Sequence, residues 1–240
     1  MSNKKKFKRV LLKLSGESLR GDKDFGICPD VLQKISLGIK DIHELGVQLS
    51  IVVGGGNIFR GQDLSSLGVN RVIGDHMGML STVINSLSIY DSLKKINLKS
   101  NIMSSIPLNG VCDTYSWSNA INLLETGSIV IFAAGTGNPF FSTDSAACLR
   151  AIEINADVVF KATKVNGVYS EDPELNSKAR RFSRLNYDFV LKNELKVMDL
   201  SAFTLARDHG MPIFVFNVNS FNSLKDVFFD LDKGTLIEDS

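Results

Sequence analysis

Val10-Leu11-Leu12-Lys13-Leu14-Ser15-Gly16-Glu17 is an apolar run interrupted by one lysine and closed by a glycine turn. Val10 to Leu14 reads as a strand buried on both faces, as the strands of parallel sheets are. Outward from it, Leu49-Ser50-Ile51-Val52-Val53, Ile129-Val130-Ile131-Phe132-Ala133, Val158-Val159-Phe160-Lys161-Ala162 and Ile213-Phe214-Val215-Phe216 repeat the pattern. Helical segments lie between them. Asp30 to Leu45 places Val31, Ile35, Ile39 and Ile42 at three- and four-residue spacing and stops at Gly46, a common helix terminator. Asp75 to Lys95, Trp117 to Leu124, Asp144 to Asn155 and Leu200 to His209 also read as helices. The charged stretch Tyr169 to Arg184, with Asp172-Pro173, reads as a long surface loop. This order predicts an α/β fold, a mainly parallel central sheet sandwiched by helices. No linker or internal repeat divides the chain, so residues 1–240 are expected to form one domain.

The 240 residues carry 27 Lys+Arg against 26 Asp+Glu, and 44% of them are hydrophobic. That is enough apolar material for a sizeable core, and a net charge of +1 lacks the basic footprint of a nucleic-acid binder. Cys28, Cys112 and Cys148 are far apart, as are His43, His76 and His209, which argues against structural zinc and a disulfide framework. The basic start, Met1 to Arg9, precedes an apolar stretch too short for a signal peptide, and the uncharged run Thr126 to Thr143 is too polar to span a membrane. A cytoplasmic protein with reduced thiols and no membrane partner is the expectation.

Three strands end in glycine-rich turns: Ser15-Gly16-Glu17, Gly54-Gly55-Gly56-Asn57-Ile58-Phe59-Arg60-Gly61, and Gly135-Thr136-Gly137-Asn138-Pro139-Phe140-Phe141-Ser142-Thr143-Asp144. In open α/β sheets ligands bind beyond the carboxyl ends of the strands. Glycines there let backbone N–H groups approach an anion closely. One such turn is ordinary punctuation; three at one sheet edge point to a ligand with several phosphates. Gly56-x4-Gly61 is followed by Gln62-Asp63, where a P-loop needs Lys and Ser/Thr, and Gly135-x-Gly137 is followed by Phe140 where the dinucleotide fingerprint needs glycine. A different phosphate scheme is implied.

Lys13 and Lys161 lie inside apolar strands, and a buried ammonium must reach a carboxylate, a phosphate or the strand end. The pair suits charge neutralisation in phosphoryl transfer, with Asp144 as the carboxylate that holds them; snorkelling lysines and a helix-capping Asp are the plain alternatives. Arg60 can fork onto a phosphate or form a rim salt bridge. Asp75 can accept from a ribose hydroxyl or cap the long helix. His76 reads as packed or solvent-facing rather than as a base.

Together these residues resemble the bacterial uridylate kinases of the amino-acid-kinase family. The likeness runs from Arg9-Val-Leu-Leu-Lys13-Leu-Ser-Gly16-Glu17 to Gly234-Thr-Leu-Ile237. It is most specific at Gly54-Gly-Gly-Asn57-x-Phe-Arg60-Gly61, Asn70-Arg-Val-x-Gly-Asp75-His-Met-Gly-Met79, Gly135-Thr-Gly-Asn-Pro-Phe-Phe-x-Thr-Asp144, Lys161-Ala-Thr163-Lys-Val-x-Gly-Val-Tyr169 and Leu195-Lys-Val-Met-Asp199. The resemblance implies ATP + UMP giving ADP + UDP in pyrimidine nucleotide biosynthesis, assisted by Mg²⁺ that arrives with ATP, with no side chain assigned to the metal. It implies Lys13, Asp144 and Lys161 as catalytic. ATP would be bound by Lys13, Leu14, Ser15, Gly16, Gly56, Arg60, Thr163, Tyr169 and Asp172. UMP would be bound by Gly55, Arg60, Asp75, Thr136, Gly137, Asn138, Pro139, Phe140, Phe141, Ser142 and Thr143. UMP thus falls mainly to the N-terminal part and ATP to the C-terminal part.

The family also implies a homohexamer, GTP as activator through the loop Gly21, Asp22, Lys23, Asp24, Phe25 and Gly26, and UTP as inhibitor. One departure stands out: Ser88 to Asn101 has lysines but none of the arginines or histidines expected at the effector site. Met77, Met79 and Ile84 read as a face of the long helix that needs a partner subunit, with burial inside the subunit as the plain alternative. The acceptor phosphate has a second pKa of about 6 and is already ionised at neutral pH, so no general base is needed. A kinase making acyl phosphates on glutamate or carbamate and a uridylate-binding regulator without catalysis are the competing readings. Asn138 to Phe141, able to wall a planar base, speaks against the first, and retention of Lys13, Lys161 and Asp144 against the second.

Overall fold

The computed structural model describes residues 7–59, 68–173, 175–176, 178–195, 197–217 and 224–239. In chain order the strands are β1 (Arg9–Leu14), β2 (Gln48–Val53), β3 (Ser100–Ser104), β4 (Asp113–Thr114), β5 (Ile129–Ala133), β6 (Val158–Thr163), β7 (Arg184–Leu185), β8 (Ile213–Asn217) and β9 (Gly234–Ile237). The helices are α1 (Gly16–Leu19), α2 (Pro29–His43), α3 (Arg71–Lys95), α4 (Trp117–Glu125), α5 (Thr143–Glu153), α6 (Tyr187–Lys192), α7 (Leu200–Asp208) and α8 (Leu224–Phe229).

All strands form one sheet in the order β4-β3-β5-β2-β1-β6-β8-β9-β7, parallel except for the β8–β9 pair. The expected α/β sheet is therefore observed, with β1 buried along its whole length between β2 and β6. Side-chain alternation splits the interior. Val10, Leu12 and Leu14 join Ile51, Val53, Phe160 and α2 in one core, while Leu11 joins Val52, Phe132, Val159 and α5 in the other. Period-two alternation turns Lys13 away from Leu12 and Leu14, and Lys161 away from Phe160 and Ala162, toward the α5 face. Lys13 and Lys161 are register partners on neighbouring strands, so they stand side by side.

The long helix begins four residues before Asp75, because Asn70 caps it by accepting from Val72 N–H at 2.9 Å. Asp75 lies in its second turn and is not the cap. Ser142, not Asp144, caps α5 by accepting from the N–H groups of Asp144 and Ser145. The expected outward Met77, Met79 and Ile84 face is corrected too: Met79 is only 7% exposed, whereas Ile84 is 49% exposed. Strand β3 escaped the sequence reading because Ser100-Asn101 opens it with polar residues and only Ile102 and Met103 are apolar.

Candidate active site

The centre is built from the carboxyl ends of β1 and β6 and the first turn of α5. Lys13 Nζ stands 2.5 Å from Asp144 Oδ1, and Lys161 Nζ donates to Asp144 Oδ2 at 2.5 Å and to the Val197 carbonyl at 2.5 Å. The three residues are 7–9% exposed. Burial alone would raise the Asp144 pKa, but the two lysines hold it below the usual carboxylate range. Burial pulls Lys161 below the ordinary lysine value, and Asp144 offsets only part of that. Cys148, one turn along α5, is pushed up to about 12 by burial and by Asp144, so it stays a neutral thiol. A trio of two cations and one anion keeps one net positive charge at the mouth of a cavity of about 270 Å³ lined by Lys13, Ser15, Glu17, Ser18, Lys161 and Thr163.

The glycine turns close around this centre. A Cβ on Gly16 would lie 2.6 Å from the Gly54 carbonyl and 2.7 Å from the Gly56 nitrogen, so only glycine lets the first two turns touch. Asn85, fully buried on α3, donates to the Gly54 carbonyl at 2.7 Å and exchanges amide hydrogen bonds with Asn57. Asn57 in turn donates to the Gly26 carbonyl at 2.9 Å and accepts from Gly26 N–H at 2.9 Å, which ties the Gly21–Gly26 loop to the second glycine turn. The third turn has Ala134, Gly135, Gly137 and Phe140 at φ of 62°, 58°, 80° and 71°.

Two cavities flank the lysines. One of about 160 Å³ is lined by Gly55, Gly56, Asp75, Thr136, Asn138, Phe141, Ser142 and Thr143, with Phe59, Thr82 and Met79 beside them. The other, about 540 Å³, is lined by Thr163, Gly167, Tyr169, Asp172, Leu195 and Val197 and shares Thr163 and Val197 with the lysine cavity. The first meets the lysines through Thr143, next to Asp144, and through Gly56, against Gly16.

The structure thus brings together most of the expected site. Gly56 falls on the smaller cavity rather than beside Tyr169, and Leu14 is buried in the core, leaving only its backbone near the site. Gly137 packs against Ser105; Pro139 and Phe140 do not line the cavity, and Phe140 is 68% exposed with the Arg71 guanidinium 5.8 Å from its ring centroid. Asp75 is already engaged: both oxygens pair with Arg71 Nε at 2.9 Å, and Oδ2 also accepts from Phe140 N–H at 2.8 Å. Arg60 lies outside the described residues. The sequence reading missed Glu17, Ser18 and Lys164; Lys164 pairs with Glu17 at 3.4 Å over the lysine cavity. His76 holds the Val72 carbonyl on its own helix, 2.7 Å away, consistent with a solvent-facing role.

Residues 8–217 match the model of the amino acid kinase family. The chain belongs to that family. Among its members, uridylate kinase of Vibrio cholerae is 60% identical over 233 residues, covering 97% of this chain and 96% of that protein. A Shewanella uridylate kinase is 57% identical over 97% of this chain and 96% of its own length. The UMP kinase of Bacillus anthracis superposes with a TM-score of 0.94 at 40% identity, covering 98% and 97% of the two chains. That of Ureaplasma parvum does so with 0.90 at 32% identity over 96% and 98%. This amino acid kinase therefore sits with the uridylate kinases, as the resemblance of its sequence motifs implied. Among the described residues no helix is long and apolar enough to cross a membrane.

Proposed function

We propose that the chain transfers the γ-phosphoryl group of MgATP to UMP, giving ADP and UDP for pyrimidine nucleotide synthesis in the cytoplasm. The observation that carries this reading is the Lys13–Asp144–Lys161 trio, whose own cavity shares Thr163 and Val197 with the larger cavity and adjoins the smaller one through Asp144–Thr143 and Gly16–Gly56. ATP would occupy the Thr163, Tyr169 and Asp172 side, with Ser15 and Gly16 at its phosphates. UMP would occupy the Gly55, Asp75 and Thr136–Thr143 side, and Arg60 would reach the phosphates of both.

The chemistry needs position more than proton transfer. The UMP phosphate is largely ionised at neutral pH and attacks in line once both polyanions are held together. Lys13 and Lys161 offset the charge that builds on the transferring group. Asp144 keeps their ammonium groups a fixed distance apart and takes no proton. Mg²⁺, when bound, neutralises β- and γ-phosphate oxygens. Among the described residues no cluster of His, Cys, Asp or Glu forms a metal cage, and Asp144 has both oxygens on lysines. Mg²⁺ would therefore be held chiefly by the triphosphate it arrives with and would supply charge neutralisation there.

Assembly follows from α3. Ile73, Leu80, Ile84 and Leu87 are exposed at seven-, four- and three-residue intervals, an apolar stripe suited to a second copy of the same helix. A homohexamer containing this contact is the assembly proposed. GTP would act through the Gly21–Gly26 loop, which Asn57 links to the glycine turn, and UTP would inhibit through the uridylate pocket.

The deciding assay supplies MgATP with UMP, CMP, glutamate, or bicarbonate plus ammonia and follows ADP release. ADP formed with UMP alone supports the proposal. UMP binding without ADP would leave a regulator, and ADP with glutamate or bicarbonate plus ammonia an acyl-phosphate kinase.

A further inference from the structure

We infer that Ser105 and Arg150 are positioning residues that set the shape of the uridylate loop and index it to the catalytic carboxylate. The inference rests on the proposed placement of UMP against Thr136–Thr143. It begins with a loop that the backbone does not favour by itself. Ala134 has φ of 62° and Gly135 of 58°, and an L-residue such as Ala134 persists in this region only where its surroundings hold it there. Two hydrogen bonds do so: Ala134 N–H donates to Thr82 Oγ1 at 2.8 Å, and Ser105 Oγ donates to the Gly135 carbonyl at 2.7 Å.

The Gly135 carbonyl can only accept, so the Ser105 proton goes to it, and Arg150 fixes the same hydroxyl from its acceptor side. Arg150 Nη2 donates to Ser105 Oγ at 3.0 Å. A guanidinium has donors only, so Ser105 must accept from it. Arg150 is itself immobilised. It is 5% exposed, its Nη1 donates to Glu153 Oε2 at 2.5 Å, and its guanidinium carbon stands 3.7 Å from the Tyr115 ring centroid. The Tyr115 hydroxyl donates to the same Glu153 oxygen, closing the ring of contacts. Ser105 also abuts the loop directly, because a Cβ on Gly137 would lie 3.0 Å from its carbonyl oxygen.

Arg150 lies six residues after Asp144 on α5, about 9 Å along one rigid helix. The helix that holds the lysines therefore also holds the base of the uridylate loop. Distance between acceptor phosphate and lysines is set by a single element, and neither Ser105 nor Arg150 needs to touch a nucleotide.

The test uses full-length Ser105→Ala and Arg150→Lys with UMP titrated calorimetrically, KM for UMP and ATP measured separately, and melting temperature recorded. Losing the Ser105 proton leaves the Gly135 carbonyl without its partner, and UMP affinity is expected to fall about five- to tenfold. KM for ATP should stay within about twofold, since no contact of the ATP cavity changes. Arg150→Lys should weaken UMP in the same direction. Should it fail to fold, Ser105→Ala alone decides. Unchanged UMP affinity in Ser105→Ala, or an equal loss for UMP and ATP, would overturn the inference while leaving the functional reading intact. Absence of UMP binding by the unaltered chain would overturn both.

Discussion

Lys13 and Lys161 are paired in register on adjacent parallel strands, and each places its ammonium 2.5 Å from a different oxygen of Asp144. Two like charges so close are tolerable in a buried site only because one carboxylate bridges them. What remains is a fixed excess positive charge facing the cavity lined by Ser15, Ser18 and Thr163, where the proposed reaction would bring the phosphates together.

Asp144→Asn removes the bridging charge and leaves two buried ammonium groups against each other. Breaking a buried pair in this way costs about 3–5 kcal/mol, so a clear fall in melting temperature should accompany a loss of turnover. A variant with the parent melting temperature would show that the trio contributes little to the fold.

Lys13→Ala should lower kcat by at least about a hundredfold, the typical consequence of deleting a group that stabilises developing charge. UMP affinity, measured without ATP, should change far less. If KM for UMP alone moved, Lys13 would be a ground-state binding residue.

The pH profile should carry an alkaline limb from Lys161, whose pKa burial lowers below the ordinary 10.5. Activity falls as Lys161 loses its proton. Stability moves oppositely in that window: the unfolded chain binds more protons there, so this group makes folding more favourable as pH rises. Asp144 behaves differently, with a folded pKa below the usual range. Its stabilising contribution is present above the unfolded carboxylate value and disappears only as pH falls through the lower folded one. Kinetic profiles of the parent and Lys161→Arg check the first point, since guanidinium remains charged; an alkaline limb at the same pH in both would assign it elsewhere.

Gly16→Ala would drive a Cβ to 2.6 Å from the Gly54 carbonyl, a backbone atom that cannot swing aside. A loss of about 1–3 kcal/mol is expected, as for other overpacked positions. Gly78→Ala, where a Cβ meets nothing within 4 Å, should instead hold or gain up to about 1 kcal/mol from helix propensity. Thermal melts of the two variants compare them directly.

Ile84→Asp places a charge at the centre of the exposed α3 stripe. Sedimentation velocity should show smaller particles than the parent, with melting temperature of the subunit fold little changed because Ile84 is 49% exposed. Identical sedimentation would place the subunit contact on another face.

Much of the fold was readable because burial leaves a local trace. Strands β1, β2, β5, β6 and β8 are short, mainly apolar runs, and glycine turns mark where the chain leaves β1, β2 and β5. β3, β4, β7 and β9 were missed, being short or mixed in polarity, with identities as strands that come from the neighbours they pair with. The Asp75 reading erred for a related reason. Its helix is started by Asn70, and the exposed first turn, Arg71 to Ile73, carries no inward periodicity. Ser105 and Arg150 had one weak signal, an arginine inside the small-residue helix Ala146-Ala147-Cys148-Leu149-Arg150-Ala151.

By itself the sequence determined that Lys13 and Lys161 occupy buried strands, and period-two alternation turns each opposite to its apolar neighbours. It also determined that glycine turns follow three strands, the residue chemistry on which the phosphate proposal rests. Tertiary structure alone decided that the lysines are register partners, that Asp144 lies between them and that Asp75 is committed to Arg71 and Phe140. Alternation is a property of one strand, whereas register, bridging and hydrogen-bond ownership join residues up to 148 positions apart and exist only once the sheet and α5 are packed.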